Sequence, residues 1–113
     1  MAVLDFNSTR RPTLQVIMKD QEHTVVHLCV PCKGTVDKIR ATLPELRKAL
    51  TGKDAEASRA VYDLAAELIR NNLDGFTVTG KELATKYELN LEDMAVFYDA
   101  YVDFLNEIKD AKN

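Results

Sequence analysis

The clearest chemical signal in the sequence is a pair of cysteines separated by two residues, Cys29-Val30-Pro31-Cys32. Two thiols at this spacing can form or exchange a disulfide, and a thiol at the N-terminus of a helix is more reactive because its pKa is lowered. The pair follows a predicted strand and precedes a predicted helix. Redox chemistry at Cys29 and Cys32 is therefore the first hypothesis that the residues suggest.

The rest of the sequence disfavours a thioredoxin-like redox protein, which stays as the alternative interpretation. That fold needs further strands after its first helix and a proline in a later loop that faces the cysteines. Here only residues 76–78 interrupt the helical pattern after Cys32, and no proline follows Pro44. Gly34 predicts a delayed helix start, which would keep both cysteines off the first helical turn. We expect Cys29 and Cys32 to be structural or incidental.

Zinc binding is a second hypothesis for the same region, because imidazole and thiolate groups are both zinc ligands. The strand period places His27 and Cys29 on one face, with His23 and Cys32 close to them in the sequence. Their spacing matches no common zinc finger, and no second Cys/His pair follows downstream. We therefore expect no metal and no other cofactor.

Residues 81–91 resemble the entry to a helix-turn-helix, with Ala84 at the tight position and a recognition helix from Asn90. Such a helix would have to present basic and amide side chains to the major groove of DNA. The sequence from Glu88 to Ile108 instead contains no lysine or arginine, and its acidic residues include Glu92, Asp93, Asp99, Asp103 and Glu107. Because these carboxylates would repel phosphates, we expect no nucleic-acid partner. A small DNA-binding regulator is the weakest alternative.

The composition predicts one globular domain without a catalytic constellation. A chain of 113 residues with 46% hydrophobic and 29% charged residues can bury a sizeable core. The sequence contains no Ser–His–acid arrangement, no G-x-G-x-x-G and no P-loop, so we expect no enzyme activity. A net charge of −3 argues against broad electrostatic binding to nucleic acid or to an anionic membrane.

Targeting signals are missing from the sequence as well. No apolar run approaches the roughly 18 residues that cross a bilayer. The first six residues lack a basic start and an apolar core, so we expect no secretory signal. With two cysteines and no such signal, the reducing cytoplasm is the expected location, and no membrane partner is expected.

The hydrophobic pattern predicts a single α+β domain over residues 13–113, after a flexible N-terminal arm over residues 1–12. An N-terminal antiparallel β-hairpin comes first, because apolar residues alternate on both sides of the polar segment 19–23. Its inward-facing residues are Leu14, Val16, Met18, Val26, Leu28 and Val30. A bundle of about four helices follows, so the chain is mainly helical. Residues 76–78 are expected to add a brief extended pairing.

Apolar residues at three- and four-residue steps predict the helices. In the first helix, Pro44 lacks the N–H donor and predicts a break or kink near Thr42. The predicted buried stripe of this helix is Val36, Ile39, Leu43, Leu46 and Leu50. The second helix is predicted from about residue 54 to 72. A capping box that begins at Thr79 and a cap at Asn90 predict the starts of the last two helices.

The last predicted helix carries more apolar surface than one helix face usually buries. One interpretation is a central core helix of a small bundle, which is buried on most sides. The other is a helix that packs one side into the core and leaves a second side for self-association or for a partner groove. The candidate partner-binding residues are Phe97, Tyr101, Phe104 and Ile108.

Several runs of the sequence resemble small proteins of prophage tail modules. These runs are AELIRNNLDG at 66–75, VTGKEL at 78–83, LEDMAVF at 91–97, YVDF at 101–104 and AKN at 111–113. The similarity extends over most of the chain after Arg11, and the family that it resembles is the tail assembly chaperones of long-tailed phages that infect Gram-positive bacteria.

This resemblance implies a non-enzymatic viral protein of the bacterial host cytoplasm. It implies that the protein binds the long helical tape-measure protein, or another tail protein, and delivers it for polymerisation of the tail tube. It also implies a small N-terminal sheet element and a helical remainder, and it implies no catalytic, cofactor or metal position.

The resemblance further predicts a longer form of the protein, because such chaperones are often made in two forms through a programmed ribosomal frameshift. Lys112-Asn113 can be encoded by a run of adenines that ends in one pyrimidine, and such runs favour slippage. We predict this run in the gene, with an overlapping frame that adds a tape-measure-binding segment. Sequencing the gene checks the prediction. Interrupted lysine and asparagine codons, or no open frame beyond them, would leave residues 111–113 as a plain polar tail.

Overall fold

A computed structural model describes residues 12–52 and 54–111 of the protein. The predicted arm lies outside the described residues except for Pro12, and so do Lys112 and Asn113. The described elements are, in chain order, β1 (Leu14–Ile17), β2 (Val25–Leu28), α1 (Lys33–Gly52), α2 (Ala55–Arg70), α3 (Gly80–Thr85) and α4 (Leu91–Ala111). An antiparallel hairpin followed by four helices confirms the predicted α+β class.

The two strands form the predicted hairpin, with Leu14 opposite Leu28. Alternation places the even-numbered residues of both strands toward the helices. Met18, Val26 and Leu28 are buried, and Leu14 and Val16 pack half-buried against the same core. The prediction that Val30 also faces the core is wrong. Because β2 ends at Leu28, the alternation does not continue, and 37% of Val30 is exposed.

Asp20 closes the turn between the strands. Its carboxylate accepts hydrogen bonds from the Thr24 N–H at 2.8 Å and from the Thr24 hydroxyl at 2.6 Å. These two donors, the hydroxyl first, hold the pKa of the Asp20 carboxyl below its ordinary value. His23 takes the left-handed conformation, with φ of 51°, that lets the chain re-enter β2.

The segment that follows α2 extends the sheet on the outer side of β2. The Leu73 N–H donates to the His27 carbonyl at 3.0 Å, and the Cys29 N–H donates to the Asn71 carbonyl at 2.8 Å. Asn72 lies between these bonds and forms an isolated bridge with Leu28. The pairing predicted for residues 76–78 is therefore wrong, because residues 71–73 take that place.

The core is built around α2. Asp54 caps the helix, because its carboxylate accepts the N–H groups of Glu56 at 3.0 Å and of Ala57 at 3.1 Å. The helix packs against α1, α3, α4 and β2. It contributes seven residues to the interior: Ala57, Val61, Leu64, Ala65, Ala66, Leu68 and Ile69.

The first helix departs from its prediction in two ways. It continues through Pro44 from Lys33 to Gly52, so of the break or kink predicted near Thr42 the break is wrong. Pro44 is exposed, and water can therefore satisfy the carbonyl that loses its intrahelical donor. The predicted buried stripe is wrong in part, because Ile39 is buried but Leu43 and Leu50 are exposed.

The last helix is fixed by its cap and by tyrosine hydroxyls. The Asp93 N–H donates to the Asn90 side chain at 2.8 Å, and the Asn90 N–H donates to the Asp93 carboxylate at 2.9 Å, which confirms the predicted cap. Farther along α4, the buried Tyr98 hydroxyl donates to the Val61 carbonyl of α2 at 2.6 Å. Tyr62 of α2 donates in turn to the Leu89 carbonyl at 2.7 Å.

Gly80 is where α3 comes closest to α2, and it begins the helix whose predicted Thr79–Glu82 capping box is present. A Cβ at Gly80 would lie 3.0 Å from the Asp63 backbone nitrogen and would meet the Asp63 carboxylate at still shorter range. We expect Gly80→Ala to lower the free energy of unfolding by about 1–3 kcal/mol, as overpacking does.

The matched control is Gly34→Ala in α1, where a Cβ would meet nothing within 4 Å. Gly34→Ala should leave the free energy of unfolding unchanged or raise it by up to about 1 kcal/mol. Urea denaturation of both variants measures the difference. Equal effects of the two substitutions would show that the α2–α3 contact is not close.

Candidate functional site

The cysteine pair lies at the start of α1. The Cys32 carbonyl accepts the N–H groups of Thr35 at 3.1 Å and Val36 at 3.2 Å, so Cys32 lies immediately before the first helical residue, Lys33. The expectation that Gly34 delays the helix is therefore wrong. Cys32 is exposed and Cys29 is half-buried, and both are free thiols.

Among the described residues, the Cys32 thiol has one hydrogen-bonding neighbour, Thr35. Its sulfur lies 3.3 Å from the Thr35 hydroxyl oxygen. The Thr35 hydroxyl, followed by the Thr35 N–H, lowers the pKa of the thiol and so favours the thiolate. The described fold, with its two-stranded sheet and no cis peptide bond among the described residues, lacks the further strands that surround a thioredoxin-type pair.

His27 and Asp74 form a pair on the outer face of the sheet. The Asp74 carboxylate accepts the His27 backbone N–H at 2.6 Å and lies 3.2 Å from the ring Nδ1. The backbone N–H is the main reason why the pKa of Asp74 is lowered, with the ring contributing less. A carboxylate can orient a histidine for proton transfer, but among the described residues no nucleophile is hydrogen-bonded to this ring.

The four candidate zinc ligands do not form a cluster among the described residues. His27 lies in β2, Cys29 follows the last residue of that strand, and His23 lies in the turn. Over residues 12–52 and 54–111, no group of three or more His, Cys, Asp or Glu side chains is close enough to hold an ion.

The predicted partner-binding residues of α4 fall into two classes. Tyr101 and Phe104 are buried, with 0% and 6% of their surfaces exposed. Phe97 and Ile108 are half-buried. The aromatic rings contact one another in a row, with centroids 5.8 Å apart between Phe97 and Tyr101 and 6.0 Å apart between Tyr101 and Phe104. Only Phe97 and Ile108 of the four offer surface to a partner, whose binding there stays a prediction.

An apolar groove of about 280 Å³ lies between β1 and the first half of α4. We call it the β1–α4 groove. One wall is the strand itself, from Leu14 to Lys19, and the other includes Val96, Phe97 and Ala100 of α4. Val96 is 70% exposed, and the polar residues Gln15, Lys19 and Asp93 also line the groove.

A second exposed apolar surface lies on α1. The sequence analysis did not predict it, because it placed Leu43 and Leu50 in the core. Leu43 and Leu50 are 38% and 43% exposed, and they alternate with Arg40 and Arg47 at three- and four-residue steps along one helix face. We call these four residues the α1 surface. A cleft of about 510 Å³ beside it is lined by Arg40, Leu43, Pro44, Arg47, Lys48 and Thr51.

The α1 surface is positively charged although the whole chain carries a net charge of −3. The helix holds five basic residues and only two acidic ones. Lys38 and Lys48 form ion pairs with Glu67 and Glu45, at 3.0 Å and 3.3 Å. Within the described parts of the chain, Arg40 and Arg47 form none. The excess of basic over acidic residues along residues 33–52 is the feature of the sequence that could have predicted this surface.

Comparison of the chain with protein-family profiles, with curated proteins and with solved structures finds no match. In the part of the chain that the structure describes, no helix combines the length and the apolar character that crossing a bilayer requires.

The geometry at Cys32 predicts a difference in reactivity between the two cysteines. Cys32 should react with iodoacetamide faster than Cys29 at neutral pH, because it is exposed and its pKa is lowered. Thr35→Val should move the midpoint of the Cys32 rate to higher pH by removing the hydroxyl. Thr35→Ser keeps the hydroxyl and is the control. Mass spectrometry of alkylation against pH measures both, and identical profiles for the two variants would contradict the assigned cause.

Proposed function

We propose that the protein is a non-enzymatic phage tail assembly chaperone that binds a helical partner, the tape-measure protein. The observation that carries the proposal is the α1 surface, where two exposed leucines alternate with two arginines that form no ion pair within the described chain. The sequence resemblance to tail assembly chaperones supplies the identity of the partner.

The α1 surface has the dimensions that a helix needs. Leu43 and Leu50 are separated by seven residues, which is two helical turns or about 10 Å along the axis. Helices that bind in grooves use anchors at this repeat. Leu46 lies between them and is half-buried, so the floor between the two exposed leucines is apolar as well. A partner helix laid along α1 would cover all three leucines.

The positive charge of the α1 surface favours some apolar partner helices over others. Arg40 and Arg47 alternate with the two exposed leucines, so the favoured partner carries aspartate or glutamate beside its apolar stripe. Opposite charges at a rim speed association more than they tighten it, and the effect weakens with salt. Binding should therefore combine an apolar contact that resists salt with an association rate that falls as salt rises.

The test is binding of the full chain to the tape-measure protein encoded in the same tail module. The double variant Leu43→Asp, Leu50→Asp places two carboxylates in the contact and should weaken binding at least about tenfold, since buried charge at the centre of an interface is costly. Leu73→Asp is the matched control, because Leu73 is 69% exposed and follows the far end of α2. Calorimetry measures affinity, and circular dichroism checks that each variant is folded.

Two outcomes would contradict the proposal. Wild-type affinity in the Leu43→Asp, Leu50→Asp variant would remove the α1 surface as the binding site. If Ile108→Asp alone abolished binding, the partner would be assigned to α4, as the sequence predicted. Absence of binding between the wild-type chain and the tape-measure protein would remove the chaperone function itself.

A further inference from the structure

Pro44 changes the hydrogen bonding of α1 in the middle of the α1 surface. In an α-helix, the carbonyl of each residue accepts the N–H of the residue four positions later. Pro44 has no N–H, so the Arg40 carbonyl lacks its helical donor although the helix continues to Gly52. The proline ring also crowds this carbonyl, which favours an outward tilt toward solvent. The α1 surface therefore contains a main-chain acceptor that has lost its helical donor.

This acceptor lies on the same side of the helix as the two arginines. Residues 40, 44 and 47 follow one another at four- and three-residue steps, so they share a face. Arg40, Pro44 and Arg47 all line the cleft of about 510 Å³ beside the α1 surface, and Pro44 is exposed. A partner helix laid along the α1 surface would cover the Arg40 carbonyl and displace the water that satisfies it.

The carbonyl of the second arginine differs from that of the first. Thr51 lies four residues after Arg47, as Pro44 lies four residues after Arg40. Unlike proline, Thr51 has a main-chain N–H, and its hydroxyl also donates to the Arg47 carbonyl at 2.8 Å. Of the two carbonyls, the chain thus supplies donors to that of Arg47, whereas Pro44 withholds the donor from that of Arg40.

Covering a hydrogen-bond acceptor without replacing its bond is costly. A carbonyl that exchanges water for an alkyl group loses its hydrogen bond, whereas a donor on the partner replaces it. The Arg40 carbonyl therefore disfavours a partner helix that is apolar along its whole contact. It favours a partner with one hydrogen-bond donor at this point.

The surrounding charge determines the kind of donor. An ionised aspartate or glutamate can only accept hydrogen bonds. Lysine and arginine can donate, but Arg40 and Arg47 line the same cleft and would repel a further cation. The uncharged amides of asparagine and glutamine and the hydroxyls of serine and threonine remain.

We propose that Pro44 makes the Arg40 carbonyl a specificity-determining acceptor, which takes a hydrogen bond from an uncharged amide or hydroxyl side chain of the partner helix. The inference rests on the proposed function, since it names a chemical requirement of the partner at the same α1 surface. The carbonyl lies between two arginines that are seven residues apart. On the partner helix, the donor should therefore lie between two acidic residues, three or four residues from each.

The test is a double-mutant cycle with the full-length protein and the tape-measure protein encoded in the same tail module. Pro44→Ala supplies the missing N–H, so the Arg40 carbonyl no longer takes a donor from the partner. This variant should bind about three- to tenfold more weakly, which is the effect of one lost hydrogen bond. It should also unfold at a higher urea concentration, because the helix gains a bond. A proline with a purely structural role would not give opposite effects on binding and folding.

The second arm of the cycle changes the partner. Each uncharged donor side chain of the bound tape-measure helix is replaced by alanine, and calorimetry measures its affinity for the wild type and for Pro44→Ala. One replacement should weaken binding to the wild type about three- to tenfold and should have little effect on binding to Pro44→Ala. The cycle thereby separates the hydrogen bond from the shape of the proline ring.

Pro31→Ala is the matched control. It makes the same substitution two residues before α1 begins, away from the α1 surface. Its affinity for the tape-measure protein should equal that of the wild type.

Two results would overturn the inference and leave the chaperone function in place. The first is equal affinity of the wild type and Pro44→Ala. The second is a cycle in which every replacement in the partner has the same effect on binding to both. A failure of the proposed function looks different, because the wild type would then not bind the tape-measure protein, and the inference would fall with it.

Discussion

The fold depends on the burial of the apolar face of α2. Val61, Ala65 and Ala66 are 0% exposed, and the small alanines let neighbouring elements approach the helix axis closely. The other elements reach α2 through different contacts. In α4, the Tyr98 hydroxyl donates a hydrogen bond to the Val61 carbonyl of α2. The α3 helix approaches α2 closely at Gly80. The β2 strand is hydrogen-bonded to the segment that directly follows α2. Loss of this one helix would leave a two-stranded hairpin and three helices without a common core.

Local chemistry explains why much of the fold was predictable. The Thr79–Glu82 box and the Asn90 cap involve residues three apart, and both form as the sequence indicates. The hairpin follows from alternation over a few residues. The errors concern tertiary relations. Whether a proline breaks a helix depends on whether water can reach the freed carbonyl, and Pro44 is exposed. Whether a short link pairs with a strand depends on distance, and residues 71–73 emerge from α2 beside β2.

The candidate binding surfaces also differ in whether local sequence patterns could predict them. Periodicity identifies the apolar side of a helix but does not say whether another element covers it. The apolar stripe of α1 was assigned to the core, yet Leu43 and Leu50 remain at the surface. The aromatic side of α4 was assigned to a partner, yet Tyr101 and Phe104 are interior. The apolar side chains at the surface are therefore not the ones that the sequence pattern predicts. On α1, the exposed leucines lie beside basic residues.

The placement of the tyrosines gives the protein an internal optical probe. The chain has four tyrosines and no tryptophan, and Tyr62, Tyr87, Tyr98 and Tyr101 are all buried or half-buried. Burial raises the pKa of Tyr98 and Tyr101, and burial with the negative charge of Asp93 raises that of Tyr62. The neutral phenols are favoured in the folded state, so their contribution to stability is complete below the ordinary pKa of about 10 and declines as the pH rises above it. The phenolate absorbance that appears in alkali therefore reports the opening of the core around α2 and α4, and it does so without any added label.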